Sequence, residues 1–202
     1  MPANPIFISL LTLQMLSNPG YSQTPKSAVN YLGIQAPISV QKNAYLLSWS
    51  AHPEASLYKQ EYLMAGDDFP KYKSMVGIDF VVTESSVDQA VATKLLELDN
   101  LKRTNPIVNY EVIKNPVTGE KIIDCLIGNN AANERDNLVE RDVFRFKVVK
   151  TKSGQRGILL FMVSNRKYGA EITPFLTKLK VDKQLLVKEV ARLSMPEIHL
   201  KN

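Results

Sequence analysis

Residues 142–164 constrain this chain more than any other stretch, because they carry two consecutive strand patterns joined by one tight turn. In 142–149, Phe144, Phe146 and Val148 alternate with Val143, Arg145, Lys147 and Val149, the period of a strand with two distinct faces. Ser153-Gly154 supplies the turn. Residues 157–163, Gly-Ile-Leu-Leu-Phe-Met-Val, are apolar on both faces, which a strand tolerates only in the middle of a sheet covered on both sides. The stretch holds no metal cluster or phosphate loop, so it reads as a structural centre and not as an active site.

The flanking sequence adds strands of the same kind. Residues 38–40 and 45–50 flank Gln41-Lys42-Asn43-Ala44 and predict a hairpin, expected to end at His52-Pro53 because proline restricts the residue before it. Residues 57–63 alternate Tyr58, Gln60 and Tyr62 against Lys59, Glu61 and Leu63, a strand with one wet face, and 74–83 predicts another. Residues 108–114 and 121–127 form a second hairpin about the turn at 115–120, Asn-Pro-Val-Thr-Gly-Glu. The polar run 128–137 buries almost nothing and reads as a surface loop.

Two helices complete the pattern. Ser86-Val-Asp-Gln89 is a capping box, and Val87, Val91, Leu95, Leu98 and Leu101 then draw one apolar stripe that ends before Pro106. Thr173-Pro174 has the form of an N-cap and first helical residue, opening a helix with Phe175, Leu176 and Leu179. Asp182 reads as the cap of a continuation that Pro196 stops. The expected fold class is α+β, an antiparallel sheet of about six to seven strands with helices packed on its faces, forming one domain over 38–195. An extended lead-in covers 23–37 and a polar tail 196–202.

The helix at 86–103, the turn at 115–120, the strand pair at 139–164 and the helix opened by Thr173-Pro174-Phe175-Leu176 follow one another in an order that resembles the PsbP-like fold. The resemblance spans about residues 38–194, rests on element order, and extends to small exported bacterial proteins. It implies a non-catalytic binding or accessory protein and transfers no functional residue.

Residues 6–16, Ile-Phe-Ile-Ser-Leu-Leu-Thr-Leu-Gln-Met-Leu, have the length of a signal-peptide core and are followed by the helix breaker Asn18-Pro19-Gly20. Gly20 and Ser22 place a cleavage before Gln23, although no Lys or Arg precedes the run. The expectation is a signal peptide over 1–22 and a periplasmic or secreted mature chain with no transmembrane span; the alternative is an N-terminal helix packed on the domain. With Cys125 as its single cysteine, the chain has no intramolecular disulfide to stabilise it outside the cell.

Charge is unevenly distributed. Residues 1–101 hold 6 Lys and no Arg against 9 Asp and Glu, whereas 102–202 hold 19 Lys and Arg against 11 Asp and Glu. Arg145 and Lys147 lie at period two on one strand, Lys150, Lys152 and Arg156 crowd its turn, and Arg166, Lys167 and Tyr168 follow the next strand. These eight residues are the candidate contact surface for an acidic protein or envelope partner; the plain alternative is a solvated basic face. Glu140 and Asp142 dilute the stripe and no RNA-module motif accompanies it, so nucleic acid is the least favoured partner.

Chemistry is sparsely provided for. The histidines are His52 and His199 only, too few for zinc, and neither dinucleotide nor P-loop glycine signatures occur, so no metal or cofactor is expected. Cys125 sits on an apolar strand face and reads as a core thiol. Ser48, Ser50 and His52 lack the Gly-x-Ser-x-Gly elbow of a hydrolase. Asp79 and Asp124 could meet across the sheet as an acid/base pair, against the simpler reading of solvated carboxylates. Three functional readings follow, in this order: an exported non-enzymatic α+β binding or accessory module for a cell-envelope or secreted partner; a hydrolase or isomerase using strand carboxylates; a basic nucleic-acid-binding protein.

Overall fold

Eight strands make one antiparallel sheet in the computed structural model, which describes residues 28–69, 71–129 and 133–201. The expected signal peptide lies outside the described residues, as do positions 130–132 of the polar loop. The strands are β1 (Ile38–Val40), β2 (Asn43–Glu54), β3 (Leu57–Met64), β4 (Ser74–Val82), β5 (Asn109–Lys114), β6 (Lys121–Asn129), β7 (Leu138–Lys150) and β8 (Arg156–Tyr168). Helix α1 (Val87–Lys102) follows β4, and helix α2 (Ile172–Arg192) follows β8. The spatial order β1-β2-β3-β4-β8-β7-β6-β5 joins two four-stranded meanders along the β4–β8 seam.

This corrects the expected fold class. The sheet has eight strands instead of six to seven, it curls into a half-barrel, and among the described residues only two α-helices accompany it, so it is not the α+β sandwich anticipated. Strand patterns report local extension but not membership of a common sheet, and the twist accumulated over eight strands curls the whole.

The β7–β8 hairpin pairs from Leu138 with Tyr168 to Lys150 with Arg156, and Gly154 takes the positive φ its turn requires. β8 is buried on both faces. Ile158, Leu160 and Met162 join Ile123, Cys125, Phe144 and Phe146 beneath Val87, Val91 and Leu98 of α1. Leu159, Phe161 and Val163 join Ile122, Val143 and Ile78 beneath Leu186, Val187 and Val190 of α2. The Ser86 capping box is present with both of its reciprocal hydrogen bonds. The α1 stripe differs from the expected one in its middle: Lys94 is buried, whereas Leu95 and Leu101 pack only in part.

Three further expectations are corrected. β2 passes through His52-Pro53 to Glu54, with a register irregularity between Ala51 and Glu54; proline bars helix from the residue before it but permits extended chain, and a bulge accommodates the missing donor. α2 is one helix. It starts at Ile172 without a side-chain cap, contains Thr173 and Pro174 in its first turn, and runs past Asp182, which pairs with Lys178 at 3.7 Å. The residues after Pro196 are anchored: His199 and Lys201 donate main-chain bonds to Leu32 and Tyr31 of the lead-in, both at 2.9 Å, and Ile198 is buried.

Candidate functional site

The alternation of β3 sends Tyr58, Gln60 and Tyr62 to the α2 side of the sheet and Lys59 and Glu61 to the α1 side. Lys59 and Glu61 are not the wet face expected of this strand, since both are buried. Lys59 lies opposite Asp79 of β4, and its Nζ meets Asp79 Oδ2 at 2.5 Å. Lys94 reaches down from α1, with its ammonium 5.0 Å from the centre of the Phe144 ring and 3.1 Å from Glu97 Oε2.

Farther along the same face, β7 contributes Glu140 and Asp142, and β8 contributes Ser164 and Arg166, directly opposite them. Glu140 Oε1 accepts hydrogen bonds from Tyr72 Oη at 2.7 Å and Ser164 Oγ at 2.5 Å. Its other oxygen pairs with Arg166 Nη2 at 3.1 Å, and that guanidinium lies over the Tyr72 ring at 4.0 Å. Asp142 is buried beside this group, and its Oδ1 finds no hydrogen-bond partner among the described residues.

The layer thus holds five carboxyl groups, Glu61, Asp79, Glu97, Glu140 and Asp142, against three cations, Lys59, Lys94 and Arg166. With acids in excess and water excluded, protons must make up part of the balance. Burial, reinforced by the charge of Asp79, raises Glu61 to about 7. Burial first, and then the neighbouring Glu140, push the Asp142 carboxyl well above the carboxylate range. Burial pulls the Lys94 ammonium down against the opposing pull of Glu97. The Cys125 thiol is pushed up by burial and by Asp142, which makes it inert as a nucleophile. Glu61, raised to about 7, is thus placed to exchange a proton near neutrality.

The α2 side uses charge differently. Arg141 grips Asp124 through two bonds of 2.9 and 3.0 Å and donates a third, at 2.6 Å, to the Lys183 carbonyl of α2. Arg145 donates to Glu120 at 2.7 Å and to the carbonyls of Val190 and Leu193 at 2.7 and 2.8 Å. Those carbonyls belong to the end of α2, where intrahelical donors run out, so the guanidinium acts as a cap from the sheet.

The basic residues expected to form one contact surface are dispersed. Arg145 is buried under α2 and Arg166 under the opposite face. Arg156 donates to the carbonyls of Thr83 and Ser85 at 2.6 and 3.0 Å, tying the β4–α1 link to β8. Tyr168 donates to the Tyr72 carbonyl at 3.1 Å, and Lys167 is half-buried. Lys147 is half-exposed on Glu120, and Lys150 and Lys152 are exposed around the hairpin turn. An arginine fork finds carbonyls and carboxylates wherever the fold offers them, whereas a lysine at a turn does not.

Asp79 and Asp124 are neither the solvated carboxylates of the simpler reading nor the acid/base pair weighed against it: the register places them on opposite faces, each against its own cation. His52 stacks on Tyr58 with ring centres 4.0 Å apart and bonds the Leu57 carbonyl through Nδ1. Ser48 Oγ donates to the Leu46 carbonyl and Ser50 Oγ accepts from the Val29 N–H, so both hydroxyls bond main chain. Sequence reasoning missed Lys59, Glu61, Lys94, Glu140 and Asp142. Lys94 alone left a signal, lying in register with Val87, Val91 and Leu98.

Among the described residues, no group of three or more His, Cys, Asp or Glu side chains is arranged to hold a metal, and no helix is long and apolar enough to cross a membrane. Neither curated proteins nor solved structures provide a match to this chain. A protein-family model does match, over residues 32–195, which takes in α1, α2 and β1 to β8. The chain belongs to that family.

Proposed function

We propose that this protein is an exported, non-enzymatic binding or accessory module that serves a partner in the cell envelope or the secreted space. The observation that carries the reading is how its buried charge is used. Asp79, Glu120, Asp124 and Glu140 each hold a cation, and Arg141 and Arg145 spend their remaining donors on α2. Charge deployed in this way fixes a fold and leaves recognition to the surface. Lys150 and Lys152 remain available there to an acidic partner, beside the half-exposed Lys147 on Glu120. The signal-like run at 6–16 supports export. Affinity capture from the native envelope fraction tests the reading: the mature chain should retain a partner that Lys150→Glu/Lys152→Glu captures more slowly at low salt. Export is tested separately, since the native N-terminus should begin near Gln23 and an intact Met1 in the cytosol would sink it.

One observation favours a second reading, an acid/base enzyme centred on Glu61. This carboxyl is buried among Lys59 and Asp79 with a proton affinity near neutrality, the condition a general acid or base requires. Turnover of generic ester substrates by the parent, lost in Glu61→Gln and kept in Lys150→Glu, would establish it over the first. The nucleic-acid reading has less support, because Arg145 and Arg166 point into the protein.

A further inference from the structure

The sheet ends in two edges of unequal kind. At one end β1 pairs over only Ile38, Ser39 and Val40. The part of β2 beyond it has register irregularities at Leu47/Trp49 and Ala51/Glu54, carries Pro53, and meets the lead-in, whose Val29 N–H donates to Ser50 Oγ at 2.8 Å. Short pairing, bulges, proline and a covering segment are the means by which an edge is blunted. Among the described residues, the other end has none of these. β5 pairs with β6 through all six of its residues without a register shift, contains no proline, and is the last strand of the sheet.

The turn after β5 fixes which main-chain groups it presents. Asn115 N–H donates to the Glu120 carbonyl at 2.9 Å, so Asn115 faces β6. Hydrogen bonding alternates along an antiparallel strand, so Ile113, Glu111 and Asn109 also face β6, while Lys114, Val112 and Tyr110 turn their N–H and C=O groups outward. Among the described residues no strand pairs with β5 on that side.

We propose that β5 docks a second copy of this chain, β5 against β5 and antiparallel about a twofold axis through Val112, so that one sheet continues across both molecules. The side chains favour this occupant because they are self-complementary in this register. Val112 meets its own copy, Tyr110 lies opposite Lys114, and Glu111 lies opposite Ile113 while its carboxylate remains with Lys183 at 3.0 Å. No like charges face one another. Centring the axis on Glu111 would set two carboxylates together, and centring it on Ile113 would put Pro116, which has no N–H, opposite Tyr110. A six-residue edge buries less than a standard interface, so the association is weak and depends on concentration.

Sedimentation velocity of the chain from low micromolar to submillimolar concentration reads this directly. The parent should move toward twice the monomer mass as concentration rises. Val112→Lys should stay monomeric, because it places two ammonium groups on the axis. Val112→Pro should do the same, because it removes an outward N–H while leaving the ladder to β6 intact. Circular dichroism shows whether each variant folds, and a readout without mutation stands beside them: exchange of the Tyr110, Val112 and Lys114 amides in the parent should slow at high concentration. A parent that stays monomeric throughout overturns the proposal, including the case in which β5 accepts a strand from a different protein. Equal dimerisation of folded Val112→Lys and parent, or amide exchange at these three positions that ignores concentration, overturns it as well.

Discussion

Under α2, each buried arginine meets a carboxylate and a carbonyl of the helix above it: Arg141 holds Asp124 and the Lys183 carbonyl, and Arg145 holds Glu120 and the carbonyls of Val190 and Leu193. Under α1, five carboxyls share three cations, Asp142 is pushed well above the carboxylate range, and Glu61 is raised to about 7. Burial alone does not separate the two faces, because both exclude water. What differs is stoichiometry: where cations and main-chain acceptors match the acids and forks in number and geometry, the charges become part of the scaffold. Where acids exceed cations, the deficit is met by protons, and the face becomes sensitive to pH.

The most damaging way to break this contrast is to remove a cation from the matched face. Arg145→Ala leaves Glu120 with only the half-exposed Lys147 and strips the end of α2 of its donors, so it should cost about 3–5 kcal/mol by chemical denaturation, the usual penalty for breaking a buried pair. A loss below about 0.5 kcal/mol, the surface range, would place Arg145 among the solvated charges.

On the acid-rich face the corresponding test is a pH profile. The folded protein holds the Glu61 proton more tightly than the unfolded chain, in which the carboxyl titrates near 4.5. The stabilisation this provides is whole below about pH 4.5, is lost as pH rises through about 7, and is absent above. Glu61→Gln should therefore match the parent in acid and exceed it by about 3 kcal/mol above neutrality, at 1.36 kcal/mol per pH unit of displacement. Parallel stability curves for the two proteins across this window would show that the face carries no displaced proton at Glu61.

The smallest effect belongs to neither face. Lys150→Glu/Lys152→Glu alters only exposed side chains at the β7–β8 turn and should change stability by less than about 0.5 kcal/mol. A larger loss would mean that the turn, like the two faces, uses its charges structurally.

Much of the fold was legible because the signals were local. The Ser86 capping box, the turn at 115–120 and the β7–β8 hairpin each depend on residues a few positions apart, and each appears where its residues stand. The site was not legible for the opposite reason. Glu61 and Lys59 looked like the wet side of β3 because alternation separates two faces without saying whether either reaches water. Arg145 and Lys147 share a face and a period, yet one is buried and the other half-exposed, because the end of α2 lies over the first and not the second.

By itself, then, the sequence determined the strands, the turns and the first helix, since backbone preference and side-chain period act over a few residues. Only the tertiary structure decided that the strands join in a single curled sheet, that Asp79 and Asp124 part to opposite faces, and that Glu140, Asp142, Ser164 and Arg166 meet beneath α1. Those outcomes depend on the β4–β8 seam and the packing of one helix on each face, and they follow from which distant surfaces most completely exclude water from one another.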